Sequence, residues 1–107
     1  MNGVVTLDGL AAPLRAVRML ALDYAHLPAP TIGVSAIYPE RLELSLHRSP
    51  ADFEAWREVL GIAPDGVTYR EFDGYVSMSV FTEYAGAELE LVGYADLPHT
   101  EQARASV

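Results

Sequence analysis

Three glutamates, Glu83, Glu88 and Glu90, flank a short Ala85-Gly86 turn. Carboxylates crowded in this way bind a hard cation or raise one another's pKa for acid–base work. In the register that the turn sets, Glu83 faces Glu88 across the two strands. A metal cage draws further oxygen ligands from shaped loops, and no such loop is visible here. The plainer expectation is a solvated hairpin end, with an acidic patch for a basic partner as the functional alternative.

The histidines do not assemble. His26 lies near a helix C-terminus, where it is a favourable dipole partner, His47 ends a strand, and His99 falls in the C-terminal tail. None has a second histidine at ligand spacing, so metal ligation or general-base work by a single imidazole has little to support it. Gly33-Val34-Ser35-Ala36 begins like a nucleophile elbow, but Ile37 stands where the closing glycine belongs. No glycine-rich phosphate loop precedes a helix. With no cysteine there is no disulfide, thiol nucleophile, iron–sulfur cluster or Cys zinc site. With no lysine there is no Schiff-base chemistry. The sequence nominates no catalytic residue, no metal ligand and no cofactor.

A sheet face carries more information. Alternate positions of the last three predicted strands display Phe72, Tyr75, Phe81, Val92 and Tyr94, beside Arg70, Ser77, Ser79, Glu83, Glu88 and Glu90. Exposed aromatics on one face suit base stacking or a protein interface. Stacking platforms need basic neighbours, and only Arg70 is available among several carboxylates. The expected binding residues for a protein partner, or for a second copy, are therefore Phe72, Tyr75, Phe81, Tyr94, Glu83, Glu88 and Glu90. The structural alternative is that these rings pack under a loop or under the tail.

Charge supports that choice. The 107 residues carry a formal charge of −8, with seven arginines. Residues 1–48 sum to zero, so the whole excess lies in the remainder, and Glu71 to Asp96 contains six acids and no base. Such a surface repels a phosphate backbone, which disfavours nucleic acid. The start of the chain lacks a basic leader, and Arg15, Arg18 and Asp23 cut its most apolar region, so no membrane segment is expected and the default location is the cytoplasm.

The elements that position these groups read as follows. A helix is predicted from about Leu10 to His26, with Leu10, Leu14, Val17, Ala21 and Tyr24 as its buried stripe, joined by Leu20 and Leu27, and Pro13 confined to the first turn. Met19 and Leu22 project from its polar side, for a second contact within the domain or a self-association seam. Two strands follow. Ile32, Val34 and Ala36 alternate in one, Leu42, Leu44 and Leu46 in the other, and a Tyr38-Pro39-Glu40 turn sets Ala36 opposite Leu42. Ser49 caps a second helix, Pro50 starts it, Phe53, Trp56 and Leu60 form its core stripe with Val59 at the edge, and Gly61 ends it with Ile62 folding back. Asp73-Gly74 signals a type I′ hairpin pairing Phe72 with Tyr75 and Val67 with Val80, and Ala85-Gly86 pairs Thr82 with Leu89. Both hairpins place Val76, Met78 and Val80 on one apolar face.

The expected fold is α+β in the order α-β-β-α-β-β-β, with two helices packed on one face of a mainly antiparallel five-stranded sheet. Residues 1–97 form a single domain, which at this length buries about 65% of its unfolded surface. Residues 98–107 are expected to form a flexible tail. Strand order does not follow from the sequence.

The run from Leu27 to Ile62, with its LPAP entry, alternating strands and SPADFEAWREVLGI, resembles short actinobacterial proteins found in mobile elements, and Asp52-Phe53-Glu54-Ala55-Trp56 is its most recognisable part. The absence of lysine fits a GC-rich genome of that kind. The resemblance implies no activity, and its residues are the cap and core of the second helix. The leading expectation is a small non-catalytic interaction protein that uses the aromatic, acid-flanked sheet face to bind another protein or a second copy of itself. One alternative is a regulatory protein touching nucleic acid through Arg15 and Arg18. Another is a small-molecule binder with a pocket between helix and sheet.

Overall fold

A computed structural model describes residues 4–97. A short 3-10 turn, Leu7–Leu10, leads into α1 (Ala11–Asp23). Strands β1 (Thr31–Val34) and β2 (Arg41–Leu46) precede α2 (Pro50–Val59). A second 3-10 turn, Pro64–Gly66, introduces β3 (Thr68–Phe72), β4 (Tyr75–Tyr84) and β5 (Ala87–Asp96). The fold is the expected α+β arrangement, and both helices pack against β2 and β5. Among the described residues no helix is long and apolar enough to cross a membrane.

The sheet order is β1-β2-β5-β4-β3. All neighbours are antiparallel except β2 and β5, which run parallel, with Leu42 beside Leu89 and Leu44 beside Leu91. Strand β5 returns to the middle of the sheet, so it is apolar on its covered face: Ala87, Leu89, Leu91 and Gly93 lie against the helices. Phe53 of α2 sits directly on Gly93, where any side-chain carbon would fall within 3 Å of its ring. A glycine inside a strand commonly marks such close approach.

Helix α2 is built by its own punctuation. The Ser49 hydroxyl accepts the Ala51 amide at 3.0 Å, and Pro50 occupies the first position. At the other end Gly61 has φ +72°, its amide donates to Glu58 O, and the Ile62 amide donates to Arg57 O, both at 3.1 Å. Those two bonds are the Schellman pattern. Buried Arg57 adds a bond from Nη1 to Ile62 O and two to Glu54 Oε1. Trp56 donates its indole N–H to Pro28 O at 2.8 Å, which ties the LPAP segment to the core.

Four expectations are corrected. Helix α1 is shorter than Leu10–His26 and is rolled about its axis: Pro13, Ala16 and Leu20 are buried, while Leu14 and Ala21 of the predicted stripe are exposed. Both sets have helical spacing, and Val17 and Tyr24 of the predicted stripe still pack at the edge of the core. Met19 and Leu22 reach solvent rather than a second contact inside the domain. The β1–β2 register is displaced by two residues, with Val34 opposite Leu42 and Ile32 opposite Leu44. Ser35 accepts the Ile37 amide, which bends the chain before Ala36 can extend the strand. In the Asp73-Gly74 turn only Gly74 has positive φ, whereas at Ala85-Gly86 both residues do, at 53° and 85°. The type I′ signature therefore belongs to the second hairpin, and the ladder of the first begins at Thr68, leaving Val67 buried just outside it.

Candidate functional site: the uncovered sheet face

The alternation of the strands assigns one set of residues to the face that carries no helix. Arg41, Glu43 and Ser45 come from β2, Glu88, Glu90, Val92, Tyr94 and Asp96 from β5, Tyr75, Ser77, Ser79, Phe81 and Glu83 from β4, and Arg70 and Phe72 from β3. All seven residues expected to bind a partner lie on this face. They fall into two groups.

The first group is a file of rings across four chain segments. Phe72 and Tyr75 stack with centroids 4.9 Å apart, Tyr75 tilts against Tyr94 at 6.0 Å, and Tyr94 stacks on His47 at 4.9 Å. The guanidinium of Arg70 lies 5.5 Å over Phe72. His47, just past the end of β2, also holds Ser45 Oγ at 3.2 Å from its Nε2. This residue was not among the expected ones. Its odd-numbered alternation with Arg41, Glu43 and Ser45 carried the signal, but its meeting with Tyr94 required the β2–β5 pairing. A shallow recess opens between His47, Tyr75, Tyr94, Asp73 and Asp96.

The second group surrounds Arg41. Its guanidinium lies 4.4 Å over the Tyr38 ring and 5.1 Å over Phe81, and its Nε donates to Glu88 Oε1 at 3.2 Å. Glu83 stands opposite Glu88, as the turn implied, and Glu90 lies between Phe81 and Glu43. Burial, followed by the nearby charge of Glu43, pushes the Glu90 carboxyl above the ordinary glutamate range, while Arg41 pulls the other way. The patch is thus acidic but internally braced. Among the described residues no three histidines or carboxylates are placed to hold a metal ion.

The two groups are separated by lower ground. Val92, expected at the surface of this face, is buried, as is Ser45 beside it in the register. The rings stand higher: Phe72, Tyr75 and Phe81 are each between 38% and 49% exposed. The expectation that the tail covers this face falls on residues 98–107, outside the described ones.

The opposite side holds a different feature. A pocket of about 270 Å³ lies between α1, the LPAP segment and the first two strands, lined by Val17, Leu20, Tyr24, Ile32, Leu44 and Trp56 among others. Arg15 and Arg18 lie away from it on the exposed side of α1.

No family model, curated protein or solved structure matches this chain.

Proposed function

We propose that this chain is a non-catalytic binding module that docks a basic segment of another protein on its uncovered sheet face. The observation that carries this reading is the pairing of standing aromatic rings with carboxylates on one face. Phe72, Tyr75, Tyr94 and Phe81 offer rigid apolar area of the kind that dominates interface energies. The ionised groups around them are Glu43, Glu83, Glu88, Glu90 and Asp96 against Arg41 and Arg70. That balance repels nucleic acid and opposes self-association through the same face, since a second copy would set carboxylates against carboxylates. A segment rich in arginine or lysine, with its own apolar anchors, meets both features.

The test is capture of partners from lysate by wild-type protein, by Tyr75→Ser with Phe81→Ser, and by Glu88→Arg with Glu90→Arg, at low and moderate salt. The reading requires one stoichiometric basic protein that both double variants lose and that rising salt weakens. Retention of the same protein by both variants, or an eluate dominated by nucleic acid, overturns it.

A further inference from the structure

We infer that the recess between Tyr75, Tyr94, Asp73 and Asp96 is a subsite for one arginine side chain of the docked segment. The inference rests on the reading that this face takes a basic segment, and it names a residue that anchors that segment. The chain itself shows how the face holds a guanidinium. Arg41 lies 4.4 Å over Tyr38 and 5.1 Å over Phe81 with its Nε on Glu88, and Arg70 lies 5.5 Å over Phe72. Both arginines of the face are thus held against rings, and Arg41 has a carboxylate as its third partner. A planar, weakly hydrated guanidinium fits such a setting better than an ammonium does.

The recess repeats those parts. Tyr75 and Tyr94 meet at 6.0 Å with their planes inclined by 59°, so they form an angled aromatic floor. Asp96 stands opposite Tyr75 in the β4–β5 register, and Asp73 lies two residues before Tyr75 in the turn. His47, stacked on Tyr94, closes the far side. Both aspartates are exposed, and among the described residues neither forms an ion pair. Arg70, on the neighbouring strand, is turned to Phe72 instead. Rings that take the face of a guanidinium therefore stand beside carboxylates that take its N–H edge.

The walls are already in place. Tyr75 is stacked on Phe72 and Tyr94 on His47, so an arriving side chain has less ring motion to arrest. The Leu97 amide donates to Gly74 O at 3.0 Å, which fixes the end of β5, and with it Asp96, to the turn that carries Asp73. The recess is shallow and open, a shape for the end of a long side chain reaching in from a partner rather than for an enclosed small ligand.

Titration of the isotope-labelled full chain with acetyl-arginine amide, acetyl-lysine amide and acetyl-citrulline amide at low salt, read from backbone amide shifts, tests the inference. The arginine compound should shift Gly74, Tyr75 and Asp96 saturably, with a Kd on the order of 1–10 mM. The lysine compound should bind roughly threefold more weakly, and citrulline, which keeps the shape without the charge, should leave these amides unmoved. Asp73→Asn with Asp96→Asn, isosteric changes at exposed positions, should weaken arginine binding about fivefold, and Tyr75→Leu about threefold. Shifts confined to Glu83–Glu90, equal binding of the arginine compound and either of the others, or an affinity untouched by the aspartate double variant overturns the inference. The titration needs no partner protein, so its failure is distinct from failure of the lysate capture. A chain that captures its basic partner but whose recess ignores arginine loses this subsite alone. A recess that binds arginine in a chain that captures no basic protein removes the docking reading alone.

Discussion

Gly93→Ala tests the contact on which the central strand and α2 depend. An added Cβ would lie 2.7, 2.8 and 2.9 Å from Phe53 Cδ1, Cβ and Cγ. Ordinary carbon contacts are about 3.5–4.0 Å, so Phe53 must retreat by roughly 1 Å. Its side chain is fully buried, and one of the atoms struck is its own Cβ, so retreat displaces the α2 backbone rather than a flexible tip. Overpacking of this kind costs about 1–3 kcal/mol. Replacing glycine returns about 0.4–1 kcal/mol through the unfolded chain. The net loss is about 0.5–2 kcal/mol, which for a domain of this size lowers Tm by about 2–15 °C. Thermal and urea unfolding followed by circular dichroism measure both quantities. Phe53→Ala combined with Gly93→Ala should cost less than the sum of the two single changes, because two of the three atoms struck, Cγ and Cδ1, are then gone. A Gly93→Ala Tm at or above wild type, or strict additivity in the double variant, refutes the close-packing argument.

Other perturbations address the turns and the site. Ala85→Asn keeps the positive φ of the second hairpin but places there a residue that tolerates it, so stability should rise by about 0.5–1 kcal/mol in urea unfolding. Trp56→Phe removes the bond to Pro28 O, should cost about 1.5–3 kcal/mol, and should speed amide exchange in the loop that Pro28 belongs to. Glu90→Gln tests the raised carboxyl. Because the folded state holds that proton more tightly than the unfolded one, stability falls as pH rises from the ordinary glutamate range through the raised value. The variant should flatten this part of the pH–stability profile and be more stable than wild type at neutral pH. A profile that keeps the wild-type slope assigns the effect to other groups.

What the sequence made legible is what short-range chemistry decides. Ser49, Pro50 and Gly61 define α2 because each satisfies backbone groups within a few residues. The two hairpins fix their registers through turns of two residues, and the face shared by Val76, Met78 and Val80 follows from them. The roll of α1 was not legible because two apolar stripes compete, and only the sheet chooses between them. The β1–β2 register depended on one hydroxyl, Ser35, that shortens β1. The parallel pairing of β2 with β5 is set by no local turn at all, so nothing in the sequence announced that His47 would meet Tyr94 or that Arg41 would meet Phe81.

That pairing also changes the meaning of the charge pattern. Along the chain, Glu71 to Asp96 carries six acids and no base. In space, Arg41 is inserted beside Glu88 and below Phe81, supplied by a strand whose own half of the sequence is neutral. A guanidinium held between two rings and a carboxylate keeps the glutamates around it close together without offering a free cation to a phosphate. The carboxylates left over, Glu43, Glu83 and Glu90, then line the approach to Phe81 from β2, β4 and β5. A partner that places one apolar side chain against Phe81 can therefore reach several carboxylates with a single basic neighbour. For the docking proposed above, the partner is therefore expected to alternate apolar and basic residues rather than to carry positive charge alone.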